Sequence, residues 1–153
     1  TLVLGIGNTL LTDDGVGVHA VQYLKDHYTH LPDTEYLDGG TLSFTLATSV
    51  EQADKLIIID ATQLNAEPGS VRAFIGAEMD NFLNRQTKCS VHEVSLLDIV
   101  SIARLTEQLP QKRALIGIQP ENIDWGEFPS PAVQAAIPVA VRKTVELIEE
   151  WNA

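Results

Sequence analysis

Leu2-Val3-Leu4-Gly5-Ile6-Gly7-Asn8-Thr9-Leu10-Leu11-Thr12-Asp13-Asp14-Gly15 opens the chain and decides its fold. The apolar run Leu2 to Ile6 is what a parallel strand covered on both faces requires. It enters a glycine turn, Gly5-x-Gly7, of the kind that begins a dinucleotide-binding βαβ unit. Leu10, though, stands where the third glycine of G-x-G-x-x-G belongs. Asp13 and Asp14 stand where a helix N-terminus would receive a pyrophosphate. Two carboxylates there repel a phosphate and attract a metal cation.

Downstream, strands and helices alternate without repeats or a linker. Val18, Val21, Leu24 and Tyr28 recur at helical steps and define a first helix, with Pro32 punctuating its end. A short strand is expected over Thr34 to Leu37, closed by Asp38-Gly39-Gly40, followed by a helix from about Leu42 to Gln52. Lys55-Leu56-Ile57-Ile58-Ile59-Asp60 is the clearest strand, four β-competent apolar residues ending in an acid. Pro68-Gly69 is a turn, and Val71 to Ile75, more polar, reads as a strand nearer an edge. A helix begins at Val91, with Leu96, Ile99, Val100 and Ala103 on one face, and Ala114 to Ile118 is a further buried strand. Ser130-Pro131 supplies an N-cap followed by proline at the first helical position, and Pro138 should kink or split that last helix.

The pattern specifies an α/β fold: a three-layer sandwich with a mostly parallel, twisted sheet of about five strands flanked by helices. Residues 1–153 form a single expected domain, long enough to bury roughly 70% of the unfolded surface. In such sheets the site lies beyond the carboxyl ends of the strands, where strand order reverses. The loops after Gly7, Asp38, Asp60 and Ile118 should therefore meet at one edge.

Charge and composition exclude several classes. At 44% hydrophobic and 20% charged residues the chain is an ordinary globular one. A net charge of −11 argues against nucleic acid, whose phosphates are neutralised by Lys and Arg. No apolar run approaches the roughly 20 residues of a membrane span, so no membrane insertion is expected. The single cysteine, Cys89, cannot close an internal disulfide, which points to a reducing, cytoplasmic setting.

Three residues carry the chemistry. One of Asp13 and Asp14 is expected to cap the first helix, leaving the other for the cleft; which does which stays open. Asp60 ends a central strand, where a carboxylate either caps the next turn or must be paired or bind a cation. His92 follows Ser90 and precedes Glu93 in an S-x-x-E capping box, so it falls in the first turn of a helix. The exposed N–H groups of that turn disfavour imidazolium and leave the neutral, metal-binding ring. Two carboxylates and an imidazole make a three-ligand set with open positions, suited to zinc or nickel. His19, His27 and His30 read as solvated surface, and Cys89 as a small buried residue rather than a nucleophile.

At these residues the sequence resembles the maturation endopeptidases of nickel-iron hydrogenases. The likeness runs through Gly5-Ile6-Gly7-Asn8, Leu11-Thr12-Asp13-Asp14-Gly15-Val16-Gly17, Asp38-Gly39-Gly40-Thr41, Ile59-Asp60-Ala61, His92 and Gly117-Ile118-Gln119-Pro120. The resemblance implies an endopeptidase that trims a C-terminal extension from the nickel-loaded hydrogenase large-subunit precursor. It implies a metal and catalytic site of Asp14, Asp60 and His92, with Asp14 an aspartate where the family also uses glutamate. Nickel would be carried in by the precursor, and zinc or cadmium could take the same ligands. Asp13 and the Asp38-Gly39-Gly40 loop would border the substrate cleft, and the protein would work as a monomer.

Two other functions compete. A dinucleotide-binding oxidoreductase would use the Gly5-x-Gly7 turn and take Asp38 as its ribose-binding acid. A nickel-delivery module would use the same three ligands without cutting anything.

Overall fold

Side-chain alternation along the strands, period two, sorts the core into two halves. Val3, Ile57, Ile59, Ala114 and Ile116 face one layer of helices, and Leu2, Leu4, Leu56, Ile58 and Leu115 face the other. Each fully buried Leu or Ile contributes about 1.5–3 kcal/mol of transfer free energy, which is why the central strands admit almost no polar residue. The computed structural model describes the backbone of residues 1–40, 45–85 and 91–153, and their side chains except at 45 and 91–95.

The strands are β1 (Leu2–Ile6), β2 (Glu35–Gly40), β3 (Lys55–Ala61), β4 (Val71–Ile75) and β5 (Lys112–Ile118). They form one sheet in the order β2-β1-β3-β5-β4, parallel except for the antiparallel β4–β5 pair. This is the expected α/β sandwich, and Val71–Ile75 does lie at an edge. The helices are α1 (Val16–His27), α2 (Thr45–Gln52), α3 (Ala77–Arg85), α4 (Val91–Leu105) and α5 (Pro131–Asn152). A single 3-10 turn, Thr12–Gly15, precedes α1. Helices α1 and α5 cover one face; residues of α2, α3 and α4 join the core on the other. The chain leaves β1 toward β2 and then crosses to β3 on its other flank. Strand order therefore reverses between β1 and β3, and their carboxyl ends frame the expected crevice.

Four local outcomes differ from the sequence reading. β2 runs on through Asp38-Gly39-Gly40 instead of ending at Leu37, because Gly5 pairs with Asp38 and Ile6 with Gly40 across a bulge. The buried stripe of α1 is Val16, Gly17, Ala20, Val21 and Leu24. Val18 sits half-buried at the border of that stripe and lines a cleft. Helix α3 was unanticipated; it buries Met79 and Leu83. Pro138 does not split α5, which runs unbroken. Both Pro138 and Gln134 are exposed, so the Gln134 carbonyl freed by the missing N–H faces solvent. The capping residue Ser90, Cys89 and the start of the second helix at Leu42 lie outside the described residues.

Candidate functional site

The four parallel strands deliver their loops to one edge, as their direction demands. Two backbone hydrogen bonds stitch those loops together: Gly7 N–H to the Gly40 carbonyl at 2.8 Å, and Thr62 N–H to the Ile118 carbonyl at 2.9 Å. Between the first loop and the end of β2 lies a cleft of about 240 Å³, lined by Gly7, Asn8, Thr9, Val18, Asp38 and Gly40. Asp38 is exposed at its rim and accepts the Gly40 N–H at 2.8 Å, which holds Gly40 in a left-handed conformation at φ 51°. Gly39 presses on β1, where an added Cβ would come within 2.9 Å of Leu4 Cδ1. The Asp38-Gly39-Gly40 stretch is thus a cleft wall built on a strand end.

Asp13 and Asp14 are adjacent in sequence and differ sharply in environment. Asp13 is fully buried, and its carboxylate accepts four hydrogen bonds. They come from the backbone N–H groups of Glu121 (2.8 Å), Asn122 (2.8 Å) and Ser130 (2.6 Å), and from the Ser130 hydroxyl (2.8 Å). Burial pushes the Asp13 pKa up, but the N–H groups of Asn122, Ser130 and Glu121 outweigh it and hold the group below its usual 3.8. Asp13 therefore fixes the segment between β5 and α5 from beneath, and it is not among the described residues that line the 240 Å³ cleft. Neither aspartate caps α1, whose N-cap, Gly15, has no side-chain cap. Asp14 is half-buried and accepts the Asn8 N–H at 3.0 Å, so its carboxylate is steered by the loop that lines the cleft.

Asp60 lies at the carboxyl end of β3 and is 1% exposed. By strand alternation it shares the face of Leu56 and Ile58, the face toward α2, α3 and α4. The 3-10 turn carrying Asp14 packs on the same strand. Helix α4 leads into the amino end of β5, and its 15 residues rise about 22 Å. Its first turn, with His92, therefore lies at the carboxyl edge of the sheet. The side chain of His92 is outside the described residues, and among the described residues no three His, Cys, Asp or Glu side chains form a metal cluster.

Several residues that hold this edge were given no such role by the sequence. Gln119 is buried, and its Oε1 takes the Leu64 N–H at 2.7 Å, tying the loop after β3 to the loop after β5. Asn8 Oδ1 takes the Leu10 N–H at 2.9 Å and shapes the first loop. His19, read as surface, is half-buried instead, with Nε2 enclosed and without a hydrogen-bond partner among the described residues. Burial lowers its pKa, and a hydrogen bond to the Glu127 backbone opposes that only in part.

The opening glycines serve the protein's own backbone. Gly7 has φ 137°, and a Cβ there would lie 1.9 Å from the Asp14 carbonyl oxygen. A Cβ on Gly5 would lie 2.4 Å from the Gly17 carbonyl. This turn exists to seat the start of α1 against β1, which removes the main argument for a dinucleotide site.

A model of hydrogenase maturation proteases matches residues 18–147. The chain is 34% identical to the hydrogenase expression/formation protein HoxM of Cupriavidus necator, over 99% of this chain and 75% of that protein. It is 37% identical to the hydrogenase 2 maturation protease of Escherichia coli, over 97% and 90% of the two chains. Among solved structures, the hydrogenase maturating endopeptidase HybD from Escherichia coli superposes with a TM-score of 0.90 at 36% identity, covering 97% of this chain and 91% of that one.

Proposed function

Because this chain belongs to the hydrogenase maturation protease family, we propose that it is the endopeptidase that removes the C-terminal extension of the nickel-loaded hydrogenase large-subunit precursor. Nickel enters as the precursor's cargo, and Asp14, Asp60 and His92 recognise it through two carboxylates and an imidazole, a donor set that suits a borderline cation. The observation that carries the reading is Asp60, a carboxylate 1% exposed at the carboxyl end of a central strand. A charge taken out of water at that position is costly unless a cation or strong donors compensate it.

The chemistry follows from placement. Nickel held jointly by the precursor and by these three side chains would fix the scissile bond in the 240 Å³ cleft beside Asn8, Asp38 and Gly40. That is catalysis by proximity, conditional on cargo. The metal can polarise the scissile carbonyl or activate a water. Asp38, exposed at the rim, is placed to meet the incoming backbone.

Intact mass spectrometry of nickel-loaded and nickel-free precursor, each incubated with this protein, tests the reading. A single C-terminal loss confined to the nickel-loaded sample is expected. Equal loss from both samples would overturn nickel recognition. Stable binding of the loaded precursor without loss would replace the protease by a delivery module.

A further inference from the structure

The segment between β5 and α5 carries a feature that cleavage chemistry does not use. Trp125 is 80% exposed, Phe128 76%, Ile123 59% and the neighbouring Leu10 54%. Large apolar side chains scattered singly on a surface need no explanation, but four on two loops that pair with each other form a patch. Leu10 N–H is held by Asn8, and the Leu10 carbonyl accepts the Gly126 N–H at 2.9 Å. The Thr12 N–H reaches the Gly126 carbonyl at 2.8 Å, making a short parallel bridge between the loops.

The backbone of this patch is anchored and is joined to the candidate site. Asp13 clamps Glu121, Asn122 and Ser130 from below, and the Thr12 hydroxyl lies 2.5 Å from the Asn122 carbonyl. Thr12 itself is held at φ 41°, a left-handed conformation that a threonine adopts only under constraint. Exposed aromatic residues on a backbone already held in place lose less freedom on binding than on a free loop, which favours an interface anchor. Continuity matters too: Asn8 lines the cleft and Leu10, two residues on, belongs to the patch. A protein worked on in that cleft lies next to the loop that carries Leu10.

Charge selects the occupant. Glu121, Asp124 and Glu127 are exposed among the apolar side chains, and no Lys or Arg occurs in residues 1–24 or 114–141. A symmetric contact between two copies would set these acids against themselves. Like charges across an interface disfavour that partner.

We infer that the segment 121–128, with Leu10, is the docking face for the body of the large-subunit precursor, through a precursor surface that bears Lys and Arg around an apolar depression. The inference rests on the protease reading for the identity of the partner. Trp125 and Phe128 anchor the contact, and the three acids steer its approach.

Two variants test it, Trp125→Gln with Phe128→Gln, and Asp124→Lys with Glu127→Lys, each alongside the parent protein. Binding to immobilised nickel-loaded precursor and loss of the extension are measured separately, with melting temperature as the check on folding. The aromatic pair should weaken binding about 30-fold or more, the loss expected for interface hot spots. Cleavage at saturating protein should keep its rate. The lysine pair should slow association and flatten its dependence on salt. Variants that bind like the parent overturn the docking face. So does a parent that binds no precursor, or a parent dimer in sedimentation that the aromatic pair splits. A parent that binds without cutting overturns the protease alone, and weakened binding by the variants then still supports the docking face.

Discussion

Asp13 accepts the Ser130 N–H at 2.6 Å and the Ser130 hydroxyl at 2.8 Å, so a residue just before α1 holds the N-cap of α5. The two helices lie on the same face of the sheet and share a core, and this pair locks their ends together. Removing the acceptor leaves three partly buried backbone N–H groups without their partner. Asp13→Ala should therefore cost about 2–4 kcal/mol, since each stranded polar group carries its desolvation cost. Asp14→Asn should change the melting temperature little and lower precursor processing strongly. Thermal melts and mass spectrometry on both variants separate the roles, and a stable, inactive Asp13→Ala would reverse them.

Acid should loosen the protein in two stages. Both Asp13 and His19 have folded pKa values below their usual 3.8 and 6.5, so the unfolded chain binds more protons and stability rises with pH. For His19, stability declines as pH falls below 6.5, because protonation must occur in a half-buried site. For Asp13, the contribution is present above 3.8 and is lost as pH falls through the lower folded value. Melting curves between pH 7.5 and 3 should show His19→Gln flattening the first decline and Asp13→Asn the second. An unchanged slope in His19→Gln would refute the first assignment.

Asp60→Asn keeps the size of a side chain packed at 1% exposure while removing its charge. Processing should fall on the order of 100-fold or more, the scale of losing a positioned electrostatic group, with the melting temperature close to the parent's. His92→Ala should do the same. Retained processing in both variants, read by intact mass, would dismiss the proposed ligand set.

The sequence made the sheet legible because Leu2–Ile6 and Lys55–Asp60 are unambiguous apolar strands, and the acid closing the second marked the carboxyl edge. Helix α3 escaped because the pattern Met79, Phe82, Leu83 is short and carries polar Asp80 and Asn81 between its apolar residues. Which aspartate of the pair is structural could not be read locally: all of Asp13's side-chain partners lie more than a hundred residues away. The aromatic patch was invisible for a related reason. Trp125 and Phe128 follow no period, and only the structure shows that they are exposed on a loop paired with Thr12.

Asp80 ties α3 to β5 and α4. It takes Arg113 with both oxygens and Arg104 with one, at 10% side-chain exposure against 15% for Arg113 and 52% for Arg104. Asp80→Ala strands the poorly solvated Arg113 and should cost about 3 kcal/mol, within the range for breaking a buried pair. Arg104→Ala breaks an exposed contact and should cost below about 1 kcal/mol. Chemical denaturation of the two variants decides it; equal losses would mean that burial does not set the strength of this network.

Gly17 answers to space and Gly40 to angle, and the two should fail differently. A Cβ on Gly17 would lie 2.1 Å from the Ile59 carbonyl oxygen and 2.5 Å from that of Ile6, both main-chain atoms of central strands. Neither can give without breaking the sheet, so α1 must back away and its buried stripe must separate from β1 and β3. Gly17→Ala should cost about 3 kcal/mol or more, the upper range for overpacking. Among the described residues Gly40 has nothing nearer than Asp38 Oδ1 at 3.9 Å, but its φ is 51°. Gly40→Ala meets only the left-handed penalty of about 1–2 kcal/mol, and the protein should stay folded. The same contacts decide the dinucleotide question, because the room that glycines give a phosphate in such turns is here taken by the chain's own carbonyls. A Gly17→Ala protein melting at the parent's temperature would show that α1 is not seated between β1 and β3, and the cleft built on that seating would fall with it.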